Sequence, residues 1–230
     1  MRQLLLIILF VPGLCSTGFS QAEVQVYGSI KKIMHDNDTT EKVRLNLLGP
    51  IVNYYGLGAV AGLDGEILIL NGDTYVTRVW KGFISTDKST DVGAALLVLA
   101  RVQQWDTVQV RRKLDSISEL ETYLDQEMKS EMAIPFMILS NDADIDWHVV
   151  SRPEDPGKPI SHKELGEGGK YKGNALLLGF FSNNHEGIFT HQGQKTHIHF
   201  QSGDKLHAGH VDEIRINKGD KLLIPKYQEK

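Results

Sequence analysis

Short apolar runs separated by glycine turns constrain this chain more than any other feature. Gly56 to Ala61, Glu66 to Leu70 and Thr74 to Trp80 are each strand-length, and Asp64-Gly65 and Asn71-Gly72-Asp73 divide them. Gly supplies the positive φ that tight hairpin turns require, so these segments predict a meander of antiparallel strands. Val24 to Ile30 and Val43 to Leu48 read as earlier strands. Gly93 to Arg111 fits either a buried strand or a short helix, and the spacing of Val102, Trp105, Val108 and Val110 favours strand. Phe136 to Leu139, after Pro135, starts another.

One segment reads as a helix. Ser116-Ile117-Ser118-Glu119 has the capping-box pattern, and Ile117, Leu120, Tyr123, Leu124 and Met128 recur every three or four residues. Ser151 to Lys172, with Gly157, Gly166, Gly168 and Gly169, reads as an irregular connector between a half spanning 23–150 and a half spanning 173–230. Strands then resume at Ala175 to Phe181, Gly187 to Thr190, Thr196 to Gln201, Leu206 to Ile216 and Leu222 to Ile224. The expected class is α+β: mostly mixed or antiparallel sheet in two packed halves, with few helices.

Arg2, the apolar run Leu4 to Val11 and the small residues of Ser20-Gln21-Ala22 form the pattern of a secretory signal peptide, 1–22, cleaved near Ala22. The expected destination is a periplasm or the cell exterior. The apolar run falls short of the roughly 20 residues that span a bilayer, so membrane insertion is not expected. Cys15 is the only cysteine and would leave with the leader, which removes disulfides and thiol ligands. A net charge of −4 gives no basic surface for nucleic acid.

Histidine is the informative residue. The chain has nine, and 191, 197, 199, 207 and 210 lie in one short stretch. Thr196-His197-Ile198-His199-Phe200 alternates, so His197 and His199 project from one face of a strand. A two-residue turn at Gly203-Asp204 would set His210 opposite His197 and send His207 to the other side; a three-residue turn would bring in His207 instead. Either register makes a three-histidine cluster. Such a cluster holds Zn2+ or a similar divalent ion and leaves a position open for water or substrate. His191 is a further ligand, a supporting partner or a surface residue, while His35, His148, His162 and His185 read as ordinary polar residues. Glu66 opens an apolar strand after a turn. Sequence alone favours a solvent-facing carboxylate there; the functional reading is an acid/base group that reaches the metal from the other half.

Together, Tyr55-Gly56-Leu57-Gly58, Leu63-Asp64-Gly65-Glu66, Asn71-Gly72-Asp73-Thr74-Tyr75, His197-x-His199-Phe200 and Gly209-His210-Val211 resemble the α-acetolactate decarboxylase family. The resemblance spans Tyr55 to Asp212. It implies a two-part fold of mixed sheets, a homodimer, and a Zn2+-type site of His197, His199 and His210. The implied reaction converts 2-acetolactate, a small 2-hydroxy-3-oxo acid, to acetoin and CO2, with Glu66 as the active-site carboxylate. The family also carries an arginine in a Gly-Phe-Arg segment, where this chain has Gly179-Phe180-Phe181-Ser182, and a glutamate several tens of residues beyond the third histidine, where only 211–230 follow. Lys195 and Arg215 are the candidate substitutes for that cation. The alternative is a hydrolytic or non-catalytic metal-binding protein on the same scaffold.

Overall fold

The computed structural model describes residues 23–49, 52–151 and 166–226. The leader 1–22, His162 and most of the expected connector lie outside the described residues.

The first sheet contains β1 (Val24–Tyr27), β2 (Val43–Arg44), β3 (Tyr54–Val60), β4 (Glu66–Leu70), β5 (Asp73–Trp80), β6 (Phe83–Lys88) and β7 (Gly93–Arg101). Its order is β1-β7-β3-β4-β5-β6, with β2 also on β7. The meander over β3, β4 and β5 is antiparallel throughout, and the Asn71-Gly72 turn has φ of 52° and 87°. That pair of positive values is the hairpin geometry which favours Asn-Gly. β7 lost its alternation because the interior of the strand is buried on both faces, from Ala94 through Ala100.

Two early expectations change. The strand expected over Val24 to Ile30 stops at Tyr27, where Gly28 (φ 86°) turns the chain into helix α1 (Ile30–Asp36). Ile30 and Ile33 of α1 bury against Ala59, Leu63 and Leu96 of the first sheet and its adjoining turn. Val43 to Leu48 is a two-residue strand followed by a 3-10 turn, Leu45–Leu47.

The second sheet contains β8 (Trp105–Gln109), β9 (Ile134–Val150), β10 (Gly166–Phe181), β11 (Thr196–Ser202), β12 (Ala208–Arg215) and β13 (Lys221–Pro225), with α2 (Ile117–Met128) between β8 and β9. The order is β10-β11-β12-β9-β13-β8, and β10 also pairs with β9. Those four strands, β9 to β12, therefore close into a small barrel. The long β9–β10 hairpin bends where pairing jumps from Gly173↔Ala143 to Ala175↔Ser140. Phe136, Ile138, Ile145, Trp147, Leu177 and Phe200 fill the barrel, and Leu120, Tyr123 and Leu124 of α2 pack into the same core. Half of the capping box forms as expected: Ser116 Oγ accepts the Glu119 N–H at 3.2 Å, while Glu119 Oε2 reaches back to the Asp115 N–H at 3.2 Å rather than to that of Ser116.

The sheets divide at residues 102–104 rather than in the expected connector. Within that connector, Gly166 to Lys172 is strand, paired with Asp144 to Val150. Gly166 and Gly168 mark close strand approach, since a Cβ there would lie 2.6 Å from the Val149 and 2.0 Å from the Trp147 carbonyl oxygen, respectively. Gly187 to Thr190, expected as a strand, is a turn closed by a single bridge from Glu186 to Thr190. The architecture is otherwise as expected: mostly antiparallel strands in two sheets with two α-helices among the described residues. Leu57, Val98 and Ala100 meet Phe180 and Phe189, and Leu68 and Tyr75 meet Met137 and Leu178, joining the sheets. No helix among the described residues is long and apolar enough to cross a membrane.

Candidate metal centre

The β11–β12 hairpin carries the histidine cluster. Its loop is four residues, Gly203 to Leu206, and pairs His199 with His210. The two-residue turn, which would have paired His197 with His210, does not form. Local hydrogen bonds favour the longer loop: Asp204 Oδ1 accepts the Ser202 hydroxyl at 2.6 Å and the Leu206 N–H at 3.0 Å, and Lys205 takes a φ of 63°. The slip is two residues, an even number, so every side chain keeps its face. His210 thus joins His197 and His199 on the outside of the barrel, while His207 goes to the other side beside Trp147 and Tyr171.

The three ring centroids lie 4.9 Å (197–210), 5.1 Å (197–199) and 5.6 Å (199–210) apart. One nitrogen from each ring lies within 4.8 Å of the others, and together these three could hold a metal ion. His199 Nδ1–H donates to the Ile67 carbonyl at 3.0 Å, which fixes the lone pair on Nε2. His197 bonds to the Phe189 backbone, and its Nδ1, like His199 Nε2, is buried with no hydrogen-bond partner. Burial depresses all three imidazoles, to about 3 for His199 and well below the ordinary value for His197 and His210. They are neutral at pH 7, with lone pairs available. Buried unpaired nitrogens are costly unless something accepts those lone pairs, and a divalent cation fits that need.

Glu66 approaches from the opposite sheet. Alternation along β4 sends Ile67 and Ile69 into one core and Leu68 into the interface between the sheets. Glu66 shares the parity of Leu68 and is 4% exposed, so the solvent-facing reading is overturned. Its Oε2 lies 3.5 Å from His199 Nε2, and its Oε1 accepts the Val150 N–H at 3.1 Å. Burial strips the carboxylate of water and pushes its pKa up to about 8; the His148 charge and the Val150 amide only partly oppose this.

His148, read from sequence as an ordinary polar residue, lines the same pocket. It pairs with His210 across β9 and β12, with ring centroids 5.0 Å apart. Both oxygens of Asp212 lie 2.9 Å from its Nδ1. Burial works against its charge, but the Asp212 hydrogen bond and the Glu66 and Asp212 charges outweigh that and raise its pKa. The alternation of Asp144, Asp146 and His148 with Ile145, Trp147 and Val149 was the signal that could have placed it on the barrel's outer face. His191 also lines the pocket, 5.4 Å from His210 and 6.2 Å from His197 between centroids.

The substitutes considered for the missing arginine do not reach this pocket. Arg215 pairs with Asp144 at 3.3 Å, and neither it nor Lys195 lines the cavity. Phe181 is fully buried in the barrel core, so a side chain at 181 faces away from the cluster. The pocket itself holds about 60 Å³ and opens toward a wider cleft lined by Lys31, His35, Gln192 and Asp212. Its walls are apolar on one side (Ile30, Ile33, Leu63, Leu96) and carry Glu66 and the histidines on the other.

Residues 53–225 match the family model described as alpha-acetolactate decarboxylase. An alpha-acetolactate decarboxylase of Methanosarcina mazei is 25% identical over 174 residues, which cover 74% of this chain but only 58% of that protein. The crystal structure of alpha-acetolactate decarboxylase from Bacillus subtilis strain 168 superposes with a TM-score of 0.73 at 14% identity, covering 89% of this chain and 86% of that one. A Staphylococcus aureus protein of unknown function, described as similar to alpha-acetolactate decarboxylase, superposes with a TM-score of 0.71 at 17% identity over 90% and 86%. With the family model covering most of its length and the fold shared over 89% of the chain, this chain belongs to the alpha-acetolactate decarboxylase family.

Proposed function

We propose that this chain is a divalent-metal-dependent carbon–carbon lyase that converts 2-acetolactate to acetoin and CO2. The observation that carries the reading is the meeting, in one half-apolar pocket, of the buried Glu66 carboxyl with His197 and His210, whose ring nitrogens could hold a metal ion together with that of His199, 3.5 Å from Glu66. In this reading His197, His199 and His210 hold the ion, and Zn2+ suits three imidazoles with an open position. Bound there, a divalent cation supplies Lewis acidity toward the substrate's ketone and hydroxyl oxygens.

Loss of CO2 leaves an electron pair on the substrate's C2, and that carbon must gain a proton to become acetoin. Glu66 is the donor in this reading. Its Oε1 is occupied by the Val150 N–H, which leaves Oε2, beside His199, to carry the proton into the pocket. His148, held by Asp212, brings positive charge to the wall where the substrate's carboxylate needs a partner, a task that residue 181 cannot perform from the barrel interior. Ile30, Ile33 and Leu96 keep bulk water from competing as a proton source. The leader-like residues 1–22 support export as the setting, and a homodimer is the assembly this reading carries with it.

The test is acetoin formation from racemic 2-acetolactate by the Zn2+-loaded chain, beside His199→Ala and Glu66→Gln. The expected result is turnover that disappears with the metal in His199→Ala and falls at least about 100-fold in metal-replete Glu66→Gln. Metal-replete wild-type protein without turnover would overturn the lyase reading, leaving a hydrolase of esters or lactones, or a binding protein, on the same metal site.

A further inference from the structure

We infer that Glu121, a buried carboxylate on α2, is a positioning residue for the metal centre on the opposite face of the barrel. The inference rests on the reading that His197, His199 and His210 hold a divalent ion. Glu121 is 8% exposed, and its Oε1 accepts three hydrogen bonds: from the Lys195 N–H at 2.7 Å, the Thr196 N–H at 3.0 Å and the Thr196 hydroxyl at 2.9 Å. These donors belong to the two residues immediately before His197.

Strand pairing shows why β11 needs this contact. β10 covers one edge of β11 from Thr196 to Ser202, but β12 covers the other edge only from His199 to Gln201. The start of the strand, where His197 sits, has no neighbour in β12. Buried backbone N–H groups must find partners, and one carboxylate oxygen satisfies two here. Because side chains alternate along a strand, Thr196 points toward α2 while His197 points into the pocket. The hydrogen bonds to Glu121 therefore set the height and tilt of the peptide that carries the first ligand.

The clamp is rigid because α2 is. Leu120, next to Glu121, is buried in the barrel core, and the helix start is fixed by the Ser116 cap. One turn along α2, Asp125 Oδ1 accepts from Asn183 Nδ2 at 2.9 Å. Glu121 and Asp125 thus hold the two ends of the loop between β10 and β11. That loop supplies the Phe189 backbone to the His197 ring and carries His191 at the pocket wall. Groups that orient a metal ligand without touching the metal commonly change affinity about 10–100-fold when removed.

The experiment measures Co2+ affinity by chelator competition, together with the d–d absorption of bound Co2+, in wild type, Glu121→Ala, Glu121→Gln, Thr196→Val and Leu124→Ala. Glu121→Ala should bind Co2+ at least about tenfold more weakly with an altered spectrum. Glu121→Gln keeps an acceptor oxygen and should recover most of the loss, and Thr196→Val, missing one donor, should fall between Ala and wild type. Leu124→Ala lowers the melting temperature through the same helix but should keep wild-type affinity and spectrum. Wild-type binding in Glu121→Ala overturns the inference, as does equal weakening in Leu124→Ala. Should Glu121→Ala fail to fold, wild-type affinity and spectrum in Thr196→Val overturn it instead. Wild-type protein that takes up no Co2+ would defeat the metal reading itself, a different result.

Discussion

Replacing Glu66 with glutamine should stabilise the metal-free protein, and by more as the pH rises. The buried carboxyl titrates at about 8 instead of its ordinary 4.5. Between those values the unfolded chain has released a proton that the folded protein retains, so stability is greatest below about 4.5 and declines as the pH climbs through 8. Each pH unit in that window costs about 1.4 kcal/mol, which amounts to about 3 kcal/mol by pH 7 and between about 4 and 5 kcal/mol once the shift is fully expressed. Glutamine has nearly the same shape and keeps an acceptor for the Val150 N–H, but it cannot ionise. The stability difference between Glu66→Gln and wild type should therefore grow by about 1.4 kcal/mol per pH unit from pH 5 to 8. Urea denaturation of chelator-treated protein at half-unit steps, with His148→Gln in both backgrounds to remove its coupling to Glu66, measures it, and His197, His199 and His210, present in both proteins, cancel in the difference. A difference that stays flat within about 1 kcal/mol over that range would refute the claim that Glu66 holds a proton in this pocket. The proton-donor role would fall with it.

Metal-free wild type should also lose stability as the pH falls below about 6.5. His197, His199 and His210 resist protonation when folded but accept protons at ordinary values when unfolded, so the unfolded state gains as the pH drops, by up to about 1.4 kcal/mol per pH unit for each imidazole. Chemical denaturation at pH 5, 6 and 7 measures the slope, and a slope unchanged in His199→Ala would contradict the assignment. His148→Ala should keep stoichiometric Zn2+, measured by elemental analysis, yet lower kcat/KM for 2-acetolactate by at least about tenfold, in line with the loss of one positioned charge. Unchanged kcat/KM would remove His148 from the site.

What was legible in the sequence was local. The Ser116 cap, the 117–128 helix, the Asn71-Gly72 hairpin and the shared face of His197 and His199 all depend on neighbours within a few residues. The third histidine of the cluster survives a change of register because the shift is even, and alternation preserves the face under an even shift. Glu66 and His148 were misread because their meaning comes from a distant strand. Glu66 looks like a strand-end carboxylate until the second sheet covers it with Val150 and His199. His148 is one polar residue in an alternating strand until β12 sets His210 opposite and Asp212 beside it. Gly166 and Gly168 do not mark a connector for a related reason: they open room for a neighbouring backbone, and a sequence does not show that backbone.

The division of the site between the sheets explains how two demands of such a reaction can be met together. Three imidazoles on one hairpin keep their mutual spacing whatever the sheets do relative to each other, because strand pairing within the second sheet and the Glu121 contacts to Lys195 and Thr196 set it. The distance from the carboxyl to that cluster is an interface property, and two hydrogen bonds that cross the interface fix it. His199 Nδ1–H donates to the carbonyl of Ile67, the residue after Glu66, and the Val150 N–H donates to Glu66 Oε1. The first of these also dictates which His199 nitrogen offers its lone pair. One contact therefore orients the imidazole and anchors the carboxyl next to it. Burial of the carboxyl against Leu63, Leu96 and Ile33 raises its pKa, and burial of the imidazoles lowers theirs. Desolvation, the largest cause of both shifts, thus drives both kinds of group toward their neutral forms, and a single dry pocket supplies free lone pairs on one wall and a retained proton on the other.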